Sequence, residues 1–379
     1  MAQQLFVTRQ AEDAQHQRKP PVIHHLPDNF ASTSMMPAEN IKFGIVISIY
    51  NTSKYLGDCV GSLINQEYRD FVVVAVDDAS TDNSAALFKQ ITQYDPRFLL
   101  IENTKNCGVS HSRNTALDQL CQLNIDYVTF IDSDDLVTPN FLRDYANVLC
   151  KSPVEHLMCG NKFLTQRGIE NEMHATNVRL MNQEENFWQF FNWDDWNTPT
   201  DFQSFIGGRC FRWKNIENLK FNEEQNFGED QDFIFKAFLL IKSGAFVESQ
   251  NYIYRLRSSS ISHSVPQTRP ELISLLNLYS KISLISPSIK DHLTDHLYRK
   301  WWEWAKIIQN NSNDIEKKCF KHFTKRLFKE IPLPKTHKNR FFRRQLLFYL
   351  GEKAFNLAVT HNPERIETED PEWRNLFFP

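Results

Sequence analysis

Four short stretches of this chain hold residues whose types and spacing could do chemistry. In Asp132-Ser133-Asp134 two carboxylates stand two residues apart, directly after an apolar run. Such a pair in a strand-to-helix turn can converge on one hard cation, and Mg²⁺ or Mn²⁺ prefers oxygen ligands of this kind. A cation there can bridge a diphosphate and stabilise it as it departs. The same spacing also suits an acidic loop ahead of a helix, whose N-terminus favours negative charge. Asp77-Asp78, with Asp82, follows a second apolar run. Some of these acids are helix caps, while Asp78 is placed to accept a hydrogen bond from a buried N–H such as a nucleobase imide. Asn106-Cys107-Gly108-Val109-Ser110, then Arg113-Asn114, reads as a turn, a helix start and a cation one turn in. That arginine can pair with phosphate or with a neighbouring carboxylate. Last, Glu229, Asp230 and Asp232 open a helix. They are either first-turn decoration or a positioned base that takes the proton of a weak hydroxyl nucleophile. In the second reading the helix dipole helps keep Asp230 ionised.

The elements that must hold these groups follow from the apolar pattern. FGIVISIY (43–50), FVVVAV (71–76), FLLI (98–101) and YVTFI (127–131) are continuous apolar runs of strand length, as strands covered on both faces should be. Between them Tyr55, Leu56, Cys59, Val60, Leu63 and Ile64 recur at helical spacing, as do Leu87, Phe88 and Ile91, and 109–120 can be helical. Thr138-Pro139 predicts a further helix, with Thr138 as cap and Pro139 as its first residue. Strand and helix alternating in this way predict a mostly parallel sheet with helices on both faces. Ligands bind such sheets outside the carboxyl ends of the strands, and there lie Ser48, Tyr50-Asn51, Asp77-Asp78 and Asp132-Ser133-Asp134-Asp135. From about 150 to 262 the periodicity weakens, apart from a helix over 230–241. Beyond 270 the chain reads as mostly helical.

Composition narrows the function. With 379 residues, 41% hydrophobic and 23% charged, the chain is that of a folded protein, and a net charge of -3 gives no reason to expect nucleic acid as partner. No glycine-rich phosphate cradle of either common pattern occurs. Seven scattered cysteines without a C-x-x-C argue against a zinc site or disulfide framework and suit a reducing cytoplasm. Residues 1–40 read as a loose polar arm without a signal peptide. Between Lys317 and Lys353 stand twelve lysines and arginines against Glu330 and Glu352 only, interleaved with Phe320, Phe323, Leu327 and Phe328. A basic amphipathic helix of this kind can lie on an anionic membrane face, or pack on the rest of the chain with a solvated rim.

Taken together, V-I-S-I-Y-N (46–51), S-L-I-N-Q (62–66), V-D-D-A-S-T-D (76–82), N-C-G-V-S-x-S-R-N (106–114) and F-I-D-S-D-D (130–135) resemble, in order and spacing, the nucleotide-binding half of the family 2 glycosyltransferases. F-G-E-D-Q-D-F (227–233) and Y-x-Y-R-x-R-x-x-S-I-S (252–262) resemble that family's later motifs, so the likeness covers about 43–262. It implies a GT-A fold over 41–265, with a nucleotide half to 140 and an acceptor half from 141, followed by a helical region over 266–379. It further implies a nucleoside-diphosphate sugar donor, usually a UDP-sugar, and inversion at the anomeric carbon. By the same resemblance Ser48, Tyr50 and Asp78 hold the uracil, with Asn51 beside them and Arg113 near the base or the diphosphate. Asp132 and Ser133 meet the ribose or the metal's waters, and Asp134 ligates Mn²⁺ or Mg²⁺. Asp230 is the general base, and Glu229 orients Asp230 or the acceptor. His263 is either a third metal ligand, as in many GT-A enzymes, or a surface histidine in a serine-rich loop. Arg255 and Arg257 could clamp the diphosphate. The acceptor implied is an oligosaccharide or lipid-linked glycan of capsule or lipopolysaccharide type. A catalytically inactive sugar-nucleotide or glycan-binding scaffold is the alternative of a different class.

Overall fold

The structure, a computed structural model, describes residues 41–165, 167–170, 177–191, 205–225, 228–257, 270–311 and 314–334. His263, the N-terminal arm and the cations from Lys335 onward lie outside the described residues.

The four apolar runs form β1 (Phe43–Ile49), β2 (Phe71–Asp77), β3 (Phe98–Glu102) and β4 (Tyr127–Phe130). All are parallel, in the order β3-β2-β1-β4, with Ser48 beside Val76 and Ile49 beside Asp77. Because side chains alternate across a strand, Phe43, Ile45, Ile47 and Ile49 enter one core while Val46 enters the other. Burying each such side chain is worth about 1.5–3 kcal/mol, so both sheet faces need cover. Helices α1 (Ser53–Ile64) and α2 (Ser84–Thr92) contribute Leu56, Cys59, Val60, Leu63 and Phe88 to the first core. Helix α3 (Val109–Leu120) contributes Ala116, Leu117 and Leu120 to the second.

Beyond β4 the sheet becomes mixed. The short β5 (Leu136–Val137) leads to α4 (Phe141–Lys151), then β6 (His156–Thr165), β7 (Gly168–Glu170), β8 (Val178–Asn182) and α5 (Gln183–Phe191). Strand β9 (Cys210–Arg212) runs antiparallel between β4 and β6, and is followed by the single turn α6 (Trp213–Ile216). Helix α7 (Glu229–Leu240) precedes β10 (Ser243–Arg255), which lies parallel to β6 with an irregularity between Val247 and Tyr252. The helix predicted to open at Pro139 opens instead at Phe141, after Asn140. Thr138 is not its cap, because its hydroxyl donates to Asn251 Oδ1 at 2.7 Å and its N–H to the Asn251 carbonyl at 2.9 Å.

Helices α8 (Pro270–Ile282), α9 (Pro287–Asn311) and α10 (Asp314–Glu330) share the second core with α3 and α7. Trp301 and Trp304 of α9 are fully buried against Phe320 and Phe323 of α10, and Phe328 stacks on Tyr298. The apolar stripe of α10 is therefore covered by its own chain. Helix α10 turns to solvent a row of cations, Lys317, Lys318, Lys321, Lys325 and Lys329, together with Ile315, His322 and Glu330. No described helix is long and apolar enough to cross a membrane.

Candidate active site

The polar ends of β1, β2 and β4 lie together because the three strands are parallel neighbours. At the end of β2 the Asp78 carboxylate is buried and serves the loop beyond β3. Its Oδ1 accepts from Asn103 Nδ2 at 2.8 Å and Cys107 N at 2.9 Å, and its Oδ2 from Gly108 N at 2.7 Å. Gly108 makes this possible at φ +93°, a conformation that side chains disfavour. Both oxygens are thus hydrogen-bonded by the loop; Oδ1 already has two donors, while Oδ2 retains room for a second. Asn51 has φ 52°, and its side-chain oxygen accepts from Thr81 N at 2.8 Å and Asp82 N at 3.3 Å, tying the β1 end to the β2 end. Ser48 is half-buried, and Tyr50 beside them is 47% exposed.

The turn after β4 divides its residues between inside and outside. Ser133 is buried, its hydroxyl 3.1 Å from that of Thr52. Asp135 is buried as well, accepting from Tyr252 OH and from Arg255 N, both at 2.8 Å. Burial pushes its proton affinity well above the carboxylate range, with repulsion from Asp132 and Asp134 adding to it. Asp132 and Asp134 remain partly open, their side chains 29% and 16% exposed. Asp134 is likewise pushed up by burial and by Asp132, and it pairs with the guanidinium of Arg257.

Arg113 joins this turn to the helix that carries the acid pair. Its side chain is only 5% exposed and lies 5.2 Å from the centre of the Phe221 ring. One terminal nitrogen donates to Asp132 Oδ1 at 3.1 Å; the other donates to Glu229 Oε1 at 3.0 Å and to Asp230. Three carboxylates therefore raise its proton affinity further, against the effect of burial. The sequence placed Arg113 near the base or the diphosphate; here it holds the first Asp-x-Asp carboxylate and the expected general base in one network.

Gly228, at φ +70°, turns the chain into α7, so that Glu229 and Asp230 stand on its first turn. Asp230 also accepts from Ile206 N at 3.1 Å. The helix dipole was expected to keep Asp230 ionised. Burial outweighs it, with Glu229 and Asp132 adding repulsion against the attraction of Arg113, and the carboxyl is pushed up to about 7. Asp232, the third acid, is buried, and accepts from Ser274 of α8 and pairs with Lys236. It anchors the C-terminal helices to α7. Asp135 and Tyr252, 117 positions apart, escaped the sequence reading; the only signal was a third acid in D-S-D-D.

Among the described residues no group of three or more His, Cys, Asp or Glu is arranged to hold a metal ion. Asp132 and Asp134 nevertheless offer hard oxygen donors at a strand end, and Asp134 gains from any added positive charge. They fit Mg²⁺ or Mn²⁺ if other oxygens, such as those of a diphosphate, complete the shell.

Residues 44–211 match the family described as Glycosyl transferase family 2. The glycosyltransferase GlyA of Streptococcus pneumoniae is 28% identical over 250 residues, covering 62% of this chain and 34% of that protein. The minor teichoic acid biosynthesis protein GgaA of Bacillus subtilis is 23% identical over 346 residues, covering 86% of this chain and 73% of its own. The poly(ribitol-phosphate) β-N-acetylglucosaminyltransferase TarS of Staphylococcus aureus is 25% identical over 256 residues, covering 66% of this chain and 40% of TarS. The crystal structure of TarS 1–349 with UDP-GlcNAc superposes with a TM-score of 0.65 at 19% identity, covering 86% of this chain and 92% of that one. The chain thus spans about a third of GlyA and two fifths of TarS. The fold is GT-A, with a helical region after it.

Proposed function

We propose that this chain, which belongs to the family 2 glycosyltransferases, moves a sugar from a UDP-sugar to a hydroxyl of a glycan acceptor, with Asp230 as general base and inversion at the anomeric carbon. The observation that carries the reading is the Arg113 bridge. One guanidinium touches both Asp132, in the turn suited to a metal diphosphate, and Asp230, the acid suited to deprotonate an acceptor. A donor in the strand-end crevice would have its diphosphate on one side of that bridge and the acceptor's base on the other.

Each residue then has a task. Asp78 fixes the Asn103–Gly108 loop and accepts from the uracil imide with a remaining lone pair; Ser48 and Tyr50 flank the base, with Asn51 shaping the wall beside it. Asp134, with Asp132, would hold Mn²⁺ or Mg²⁺, and His263 is a candidate third ligand. Bound there, the ion supplies positive charge to the departing diphosphate. Ser133 supports the turn from inside. Asp230 takes the acceptor proton as the hydroxyl attacks C1, which a positioned carboxylate accelerates by roughly 10²–10⁴-fold, and Glu229 orients Arg113 beside it. TarS binding UDP-GlcNAc supports a UDP-sugar donor here. The names of GgaA and TarS support a cell-surface glycopolymer as acceptor, a class to which capsule and lipopolysaccharide also belong. The lysine row of α10 supports peripheral contact with the inner face of the cytoplasmic membrane mainly by charge, since its stripe of Phe320, Phe323 and Leu327 is buried.

Turnover of UDP-sugars, read as UDP release and as the anomeric configuration of the product, tests the assignment. Asp230→Asn should keep UDP affinity and lose at least about a hundredfold in turnover. Unchanged turnover would remove Asp230 as the base, and retention of configuration would exclude the single displacement.

A further inference from the structure

The two arginines at the end of β10 are held in different ways. Arg255 is fixed on all sides: its N–H donates to Asp135 Oδ1 at 2.8 Å, its Nε to the Asp134 carbonyl at 2.9 Å and its Nη2 to Asp58 Oδ2 at 2.8 Å. Its guanidinium also lies 5.2 Å from the centre of the Tyr55 ring. Arg257 meets the same ring at 5.1 Å and pairs with the Asp134 carboxylate. Its Nε, although buried, has no hydrogen-bond partner among the described residues. A buried N–H on a cation without an acceptor is costly. Meanwhile the backbone is pinned up to the neighbouring residue, where Leu256 N donates to the Leu164 carbonyl at 3.0 Å. Arg257 therefore has a fixed base and a guanidinium with unused donor capacity, paired with the carboxylate that a divalent cation would take.

We propose that Arg257 is an exchangeable counter-ion. With the donor site empty it neutralises Asp134. When the metal–nucleotide arrives, Arg257 moves along the Tyr55 ring to the diphosphate, which supplies the acceptor its Nε lacks, and leaves Asp134 to the cation. No covalent bond changes; two ion pairs replace one. Metal and nucleotide then bind interdependently, because metal alone must displace a guanidinium that has nowhere else to go. The inference rests on the donor site proposed above and adds an ordering residue to it. Such coupling is reciprocal, and typical couplings are about 5–150-fold in affinity.

The test is titration of Mn²⁺ into the full chain, with free Mn²⁺ read by electron paramagnetic resonance, first without nucleotide and then with saturating UDP. Wild type should bind Mn²⁺ weakly alone and at least about fivefold more tightly with UDP. Arg257→Gln should bind Mn²⁺ alone at least about fivefold more tightly than wild type and lose most of the gain from UDP. Arg257→Lys, which restores a charge, should return Mn²⁺ alone to weak binding, and far-UV circular dichroism checks that each variant is folded. If UDP binds but Arg257→Gln takes Mn²⁺ alone no better than wild type, the exchange is wrong and the donor site stands. If UDP does not bind wild type at any Mn²⁺ concentration, the donor site is wrong and the exchange with it.

Discussion

Replacing Arg113 with methionine removes the cation that, among the described residues, spans Asp132, Glu229 and Asp230. The methionine retains a long side chain to lie near the Phe221 ring, so the loss is mainly electrostatic. Two of the stranded carboxylates are nearly as buried as the arginine, at 12% and 16% side-chain exposure against 5%; Asp132, at 29%, is more easily hydrated. Taking one partner from a buried ion pair costs about 3–5 kcal/mol, and the stranded charges here are clustered rather than single. At roughly 2–4 °C per kcal/mol for a domain of this size, Arg113→Met should melt some 6–20 °C below wild type. Its pH dependence identifies the cause. Asp230 is already raised to about 7 by burial, and without Arg113 it loses the charge that holds it down and rises further above its unfolded value. Such a group stabilises the protein only below its folded pKa, so the deficit is greatest above pH 7 and shrinks as pH falls through 6. Arg113→Lys keeps the charge but not the fork, and should lie between the two. Chemical unfolding followed by fluorescence of the buried Trp301 and Trp304 at pH 8 and pH 5.5 is the assay. A deficit under about 1 kcal/mol at pH 8, or one that does not shrink in acid, would refute the network as described.

Three further outcomes follow from other parts of the structure. Asp78→Ala strands the N–H groups of Asn103, Cys107 and Gly108; it should cost about 1–3 kcal/mol in thermal unfolding and weaken UDP binding in calorimetry, and an unchanged melting point would contradict its role in the loop. Gly228→Val forces a β-branched side chain into left-handed backbone, costing at least about 1–2 kcal/mol; because the strain displaces Glu229 and Asp230, turnover should fall more than UDP affinity. Buried His156, which bonds Asn186 at 2.9 Å, is held down at about 3 by burial and then by the charge of Arg209. Its stabilising effect is therefore full above its unfolded value near 6.5 and is lost as pH falls toward 3, at up to about 1.4 kcal/mol per pH unit. Stability measured by chemical unfolding from pH 6.5 to 4 should fall more steeply in wild type than in His156→Gln, and equal slopes would refute it.

The nucleotide half was legible because its strands are covered on both faces and so appear as unbroken apolar runs, and because parallel order brings their polar ends to one edge. The second half was not. β10 is irregular between Val247 and Tyr252 and leaves several side chains half-buried, and β9 has only three residues, so neither shows a period. Pairings such as Arg113 with Asp230 join positions 117 apart, which residue types suggest only as alternatives. Periodicity found the apolar stripe of α10 and could not say what covers it; Trp301, Trp304 and Tyr298 do.

The central claim is that the crevice at the ends of β1, β2 and β4 holds a UDP-sugar with a divalent cation. Calorimetric titration of UDP into the full chain, with and without Mn²⁺, for wild type and Asp134→Ala, tests it most directly, with GDP as the competing nucleotide. The account predicts UDP binding that depends on Mn²⁺, is lost in Asp134→Ala and is not matched by GDP. UDP binding that is the same with and without Mn²⁺ and in both proteins, or no UDP binding by the wild type, would contradict it.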